Sequence, residues 1–132
     1  EKIMLITTIP QYVQGLKNVK LVAITDATAD GAILYTAPSA ADFNASVITS
    51  ILVSEYSGNA DTITVTVTDS TATFSLFKVK AVAANTTIEL LTKDLILQSG
   101  DVIRASAATA SRLHVVASIQ ELALHRTPQS AL

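Results

Sequence analysis

Residues 62–68 restrict the fold of this chain more than any other segment, because they alternate Thr with Ile or Val at every position. Ile63, Val65 and Val67 fall on one face of an extended chain, and the four threonines fall on the other. β-Branched side chains are restricted at χ1 and pack well on a pleated surface. The pattern therefore predicts a β-strand with one buried face.

Similar short apolar segments recur along the 132 residues, with turn residues at roughly ten-residue spacing. No long helical periodicity separates them, so β-α-β units are not expected. The chain is predicted to be a single all-β domain, residues 1–132: an antiparallel β-sandwich of jelly-roll-like type with about eight to ten strands. The further predicted strands cover residues 3–9, 19–24, 32–36, 47–56, 73–80, 86–91, 95–97, 102–106 and 112–122. In the last of these, one face carries Leu113, Val115, Ala117 and Ile119, and His114 lies on the other. Gly100, in the turn before the strand at 102–106, can take a positive φ at little cost.

The two ends of the chain are expected to behave differently from the sandwich. Residues 1–18 and 123–132 are predicted to act as contact arms. Within the first arm, residues 3–9 form an apolar strand that Pro10 ends, and residues 11–18 are irregular or form a short helical turn. The opening apolar run is shorter than the hydrophobic region of a signal peptide.

The predicted strand at residues 47–56 is unusual because both of its faces are apolar under strict alternation. In a two-layer sandwich one face meets the core, and the other then needs a cover of its own. A neighbouring subunit or a long loop would supply that cover. The two predicted faces are Val47, Ile51 and Val53 on one side, and Ile48, Leu52 and Tyr56 on the other.

The composition narrows the classes of partner. Apolar residues make up 49% of the chain and charged residues 15%, below the usual quarter, and the formal net charge is −2. A near-neutral chain lacks the basic stripe of a nucleic-acid-binding protein, and no apolar run is long enough for a membrane helix. A surface this poor in charge favours contacts with other subunits, so a homo-oligomer is expected.

A search for catalytic or metal-binding patterns finds none. There is no Cys, and the two histidines, His114 and His125, have no ligand-spaced partner. The chain has no G-x-S-x-G motif, no P-loop and no G-x-G-x-x-G fingerprint. It has no Trp, so an aromatic platform for a sugar is poorly supported. We therefore expect that the chain is not an enzyme and that it has no catalytic residue, no cofactor and no metal site.

An ordered set of short motifs runs across residues 33–122. The motifs read LYTAP at residues 34–38, SILVS at 50–54, SGNA at 57–60, TITV at 62–65, ANTTIEL at 84–90, LILQSGDVI at 95–103 and VVAS at 115–118. Their order resembles that in the small β-sandwich virion proteins of tailed bacteriophages. Glu55 and Tyr56 stand where members of that family often have Asn.

The resemblance implies a structural component of a phage particle, located in the virion. The first expectation is a capsid decoration, or cement, protein that binds the particle surface through apolar strand faces and terminal arms. Its partners would be other copies of itself and the major capsid or tail proteins. The alternatives are a neck or tail accessory protein of the virion, or a non-viral cell-surface or glycan-binding β-sandwich module.

Six apolar residues are the candidates for the interface of such a particle protein. Aspartate at both Ile48 and Leu52 is expected to block assembly while leaving the fold partly intact. The six candidates are Ile3, Leu5, Phe43, Ile48, Leu52 and Phe77.

Overall fold

Nine β-strands form two antiparallel sheets in the part of the chain that the structure describes. A computed structural model describes residues 11–21 and 124 as main chain, and residues 31–39, 41 and 43–123 in full. The strands are β1 (Gln11–Leu21), β2 (Ala32–Thr36), β3 (Phe43–Glu55), β4 (Asp61–Thr68), β5 (Thr73–Val82), β6 (Thr87–Glu89), β7 (Leu95–Leu97), β8 (Val102–Ala107) and β9 (Leu113–Leu124).

The strand order is that of a jelly roll. The first sheet runs β1-β9-β3. Both β6 and β7 pair with β3, one after the other, on the side of β3 that faces away from β9. The second sheet runs β2-β8-β4-β5. Each strand pair encloses the next along the chain, as in a long hairpin that is rolled up from the β4–β5 turn. From the outermost inward, the pairs are β1–β9, β2–β8, β3–β6/β7 and β4–β5. The predicted antiparallel sandwich is confirmed, and the roll brings residues distant in sequence onto common faces.

The strand at residues 62–68 has the predicted orientation. Ile63 and Val65 are fully buried, and Val67 packs against the core from a half-buried position. The alternation predicted in β9 is also confirmed, since its inward residues are enclosed between the sheets. Those residues are Leu113, Val115, Ala117 and Ile119.

The predicted faces of β3 are wrong in one half of the strand, because a β-bulge shifts the alternation. The register against β9 slips between Ile48 and Ser50, which adds one residue to β3. Ile48 therefore points into the core together with Ile51 and Val53, all with no exposed surface. The outer face carries Val47, with Leu52 and Tyr56 beyond the bulge.

The first predicted arm also differs from the structure in part. Residues 11–18 are neither irregular nor helical: together with residues 19–21, which were predicted to be extended, they form β1, which pairs with β9 from Gln11 to Leu21. This strand is an edge of the first sheet. The predicted strand at residues 3–9, and residues 125–132 of the second predicted arm, lie outside the described residues.

The edge strand β5 is irregular. Its register against β4 slips twice, between Ile63 and Val65 and between Val65 and Thr66. Val79 adopts a left-handed φ of 54° and donates its N–H to Thr64 Oγ1 at 3.0 Å. Bulges interrupt the free hydrogen-bonding edge of a sheet and so discourage pairing with another strand.

Gly31, just before β2, occupies a position that no other residue type fits without strain. Its φ is +70°, and a Cβ added there would lie 2.6 Å from the carbonyl oxygen of Ala105 on β8. We expect Gly31→Ala to lower the free energy of unfolding by roughly 2–4 kcal/mol, from the left-handed backbone and the clash together. Urea denaturation followed by circular dichroism measures this loss.

Gly100→Ala is the matched control for that substitution. Gly100 has a φ of +83° but nothing within 4 Å of an added Cβ, so only the backbone penalty of roughly 1 kcal/mol applies. Equal losses for the two variants would contradict the close approach of Gly31 to β8.

Candidate functional site

Five apolar residues lie on the outer face of the first sheet, in two groups with the outward pair Ser50 and Ser118 between them. Leu52 on β3 lies directly opposite Val116 on β9, and Val47 lies opposite Ile96 on β7, so each pair shares a face. Tyr56 extends the strip beyond the end of β3. Leu52 is 39%, Tyr56 44% and Ile96 66% exposed, whereas Val47 and Val116 are half-buried. We call these five residues the apolar strip.

The aromatic end of the strip is held in place by two contacts. The Tyr56 ring stacks on the His114 imidazole with 3.9 Å between the ring centroids and an interplanar angle of 20°. The Tyr56 N–H donates to the Arg112 carbonyl oxygen at 3.0 Å. His114 is thus on the outer face of β9, as its place between Leu113 and Val115 predicted.

The four predicted interface residues that the structure describes do not share one exposed surface. Leu52 belongs to the apolar strip, but Ile48 is enclosed in the core of its own protomer and is not accessible to a partner. Phe43 and Phe77 are half-buried and pack against that core. Ile3 and Leu5 lie outside the described residues.

A buried carboxylate beside the strip accepts hydrogen bonds from both the β3–β4 loop and the β5–β6 loop. Glu55, the last residue of β3, is 3% exposed. It accepts the N–H groups of Ser57 at 2.7 Å, Gly58 at 3.0 Å and Asn85 at 2.8 Å, and also the Ser57 hydroxyl. Burial by itself would raise the pKa of the Glu55 carboxyl, but these hydrogen bonds outweigh it and lower the pKa to about 2. The carboxylate therefore stays charged and rigidifies this end of the sandwich.

A second carboxylate accepts a main-chain N–H where the pairing of the first sheet is interrupted. The edge beside β3 is interrupted between β6 and β7, which would leave the Ile51 N–H without a partner. The Glu89 carboxylate accepts that N–H at 2.7 Å and also accepts the Ser50 hydroxyl. Burial opposes ionisation, yet these bonds lower the pKa of Glu89. The interruption is thus a stable feature of the sheet edge that carries Ile96.

A polar cluster lies between the sheets at the other end of β3. The Tyr35 hydroxyl donates to the Glu121 carboxylate and is 2.7 Å from the Ser46 hydroxyl. Burial, followed by the bond to Glu121, raises the pKa of Tyr35. Tyr35 is 5% exposed and Ser46 fully buried, so this cluster joins β2, β3 and β9 rather than facing a ligand.

The outer face of the second sheet carries a groove of about 470 Å³. The threonines of β4 form its floor, with Ser106–Ala108 along one side and the bulged segment of β5 along the other. A smaller depression of about 210 Å³ adjoins it and includes Arg104. The residues that line the larger groove are Thr62, Thr64, Thr66, Thr73, Ser75, Lys78, Val79, Ser106, Ala107 and Ala108.

Sequence reasoning identified Leu52 but missed both the full strip and the groove. Ile96 is the middle residue of the segment Leu95-Ile96-Leu97. The alternation of that segment is the signal that would place it on the face opposite its neighbours. The outward row of β4 threonines was evident in the same way. The serines and cations beside that row come from β5 and β8, and their register was not readable from the sequence.

Among the described residues, no three His, Asp or Glu side chains converge in a way that could hold a metal ion. The same part of the chain has no helix long and apolar enough to cross a membrane. Comparison with protein-family models, with curated proteins and with solved structures finds no match to this chain.

Proposed function

We propose that this chain is a structural protein of a tailed-bacteriophage particle, and specifically a capsid decoration protein that binds the particle surface. The apolar strip carries the proposal. Three of its side chains expose roughly two-fifths or more of their area, on a face where protein–protein contacts could cover them. Burying such a strip supplies association energy that does not depend on salt.

The fold and the ordered motifs support the same proposal. Jelly rolls are common among viral capsid proteins, although the fold also serves lectins and cupins and does not specify function by itself. The motif order at residues 34–118 resembles phage virion proteins. A neck or tail accessory protein of the virion would use the same contact chemistry at a different copy number.

The test is to purify virions from a host that produces this chain and to count copies per particle by quantitative mass spectrometry. Hundreds of copies support capsid decoration, and a dozen or fewer support the neck. A chain that is produced but missing from purified particles would contradict a virion role.

Charges placed in the apolar strip are expected to prevent incorporation. We expect Leu52→Asp together with Ile96→Asp to reduce the copy number per particle at least tenfold, because the interface would have to desolvate two carboxylates. Thr92→Asp, in the exposed loop between β6 and β7, is the control with unchanged copy number. Normal incorporation of a folded double variant would show that the strip is not the contact surface.

A further inference from the structure

We propose that the groove on the outer face of the second sheet, together with the adjoining depression that includes Arg104, binds an acidic oligosaccharide. In this assignment the β4, β5 and β8 hydroxyls hydrogen-bond the sugar, and Lys78 and Arg104 pair with its acidic groups. The groove is on the opposite side of the sandwich from the apolar strip. The inference therefore goes beyond the virion role and does not depend on it.

The register of three strands arranges these side chains as a grid. Thr66 lies opposite Arg104 on β8 and opposite Ser75 on β5, so all three point outward in one row. Thr64 lies opposite Ser106 in the next row. The chain advances at about 3.3 Å per residue along β4, so the floor of the groove and the adjoining depression, from Thr62 to Thr68, is about 20 Å long. That length suits a short oligosaccharide better than a single sugar.

The β5 bulge converts this flat face into a groove. Because Val79 takes the left-handed conformation and donates to Thr64 Oγ1, residues 78–79 depart from the regular strand path and line one side. Lys78 belongs to that side. The accepted hydrogen bond leaves the Thr64 hydroxyl proton free to be donated to a ligand.

Much of the hydrogen-bonding capacity of the groove is unused within the described part of the chain. The hydroxyls of Thr62, Thr66, Ser75 and Ser106 make no hydrogen bond to another described residue. Arg104 is half-buried, yet it has no carboxylate partner among the described residues. A guanidinium offers five N–H donors, so this position favours an acidic acceptor.

The chemistry of the lining selects the class of ligand. Hydroxyls both donate and accept, as sugar hydroxyls do, whereas no Asp or Glu lines the groove to repel an acid. No aromatic ring lines it either, so stacked nucleic-acid bases have no platform. An extended peptide would pair with a sheet edge rather than with a face. An acidic oligosaccharide fits these constraints together.

The test is an NMR titration of the isolated ¹⁵N-labelled protein with three sugars and one ion. The probes are tri-galacturonate, a heparin-derived tetrasaccharide, maltotriose as the neutral sugar, and inorganic sulfate. We expect an acidic sugar to bind with a dissociation constant of roughly 1 mM and to shift amide signals of β4, β5 and β8. Binding of one acidic sugar and not the other supports the proposal and identifies the acidic group as carboxylate or sulfate.

Three results would overturn the proposal. They are no shift with either acidic sugar, equal affinity for maltotriose, and equal affinity for sulfate, which would indicate an adventitious ion only. Because the titration uses the isolated protein, its failure leaves the virion proposal untouched.

Variants then separate the groove from general electrostatic attraction. Arg104→Gln and Lys78→Gln should each weaken binding about three- to tenfold, while Lys93→Gln, in the β6–β7 loop, should leave it unchanged. Lys78 is exposed at the bulge, so its variant tests the site even if Arg104→Gln fails to fold. Thr66→Val should weaken binding as well. Equal weakening by Lys93→Gln, or no effect of Thr66→Val, would refute a sugar-binding groove.

Discussion

Replacing Ile48 with Asp is expected to unfold the domain, whereas the same replacement at Leu52 should change the free energy of unfolding by about 1 kcal/mol or less. Ile48 has no exposed surface, so its variant must bury a carboxyl group without a partner. Truncation to Ala at such a site already costs about 2–5 kcal/mol, and a domain is stable by only about 5–15 kcal/mol in total. Leu52 is 39% exposed, and an Asp there remains hydrated.

Urea denaturation followed by circular dichroism distinguishes the two outcomes. Ile48→Val is a conservative control at the buried site, with an expected loss of about 0.5–1.5 kcal/mol. A folded Ile48→Asp protein together with an unfolded Leu52→Asp protein would show that the bulge between Ile48 and Ser50 is misplaced.

This contrast changes the assembly test that the sequence suggests. An aspartate pair at Ile48 and Leu52 was expected to leave the fold partly intact, but the Ile48 half of that pair would remove the fold itself. Loss of assembly in the double variant would then say nothing about an interface. Substitutions at Leu52 and Ile96, which both face outward, separate assembly from folding.

Replacing Glu55 with Gln should lower stability at neutral pH and also reduce the loss of stability in acid. The folded-state pKa of about 2 is lower than the ordinary value of 4.5, so the carboxylate stabilises the folded state. That contribution is fully present above about pH 4.5 and is lost as the pH falls through about 2. A Gln side chain directs an amide N–H₂ toward donors that need an acceptor, and it does not titrate.

The measurement is the unfolding temperature of both proteins between pH 7 and pH 2. We expect the unmodified protein to lose more stability than Glu55→Gln between pH 4.5 and pH 2. Asp94→Asn, in the exposed β6–β7 loop, is the control and should follow the unmodified protein. Parallel curves for Glu55→Gln and the unmodified protein would mean that Glu55 does not hold its loops as a carboxylate.

Local patterns predicted several elements well because a single local property decided each one. Alternation over residues 62–68 identified β4 and its buried face, and the same reasoning identified the inward residues of β9. Gly100 was expected to take a positive φ in the turn before β8, and its φ is 83°. These features need only the residue and its immediate neighbours.

The errors arose where a distant strand decided the outcome. Residues 11–18, predicted to be irregular or helical, contain Gly15 and several polar residues, so their own propensity for strand is weak, and pairing with β9 makes them extended. The bulge in β3 likewise depends on alignment with β9, and one extra residue there exchanged the inner and outer faces of half the strand.

The candidate sites divide in the same way. Leu52 and the row of threonines were readable from alternation, but their neighbours were not. Val116, Ser106 and Arg104 reach those residues only through antiparallel pairing of β3 with β9 and of β4 with β8. The bond between Glu55 and Asn85 gave no signal in the sequence, since the two residues are 30 positions apart.

The amino-acid sequence alone determined that this chain is built of β-strands, and that no thiol chemistry is possible, because these properties follow from local periodicity and from residue type. Tertiary structure decided which side of β3 is buried and which hydroxyls and cations share a groove. Both depend on register between strands far apart in sequence, and a shift of one residue in that register moves a side chain to the opposite face of the sheet.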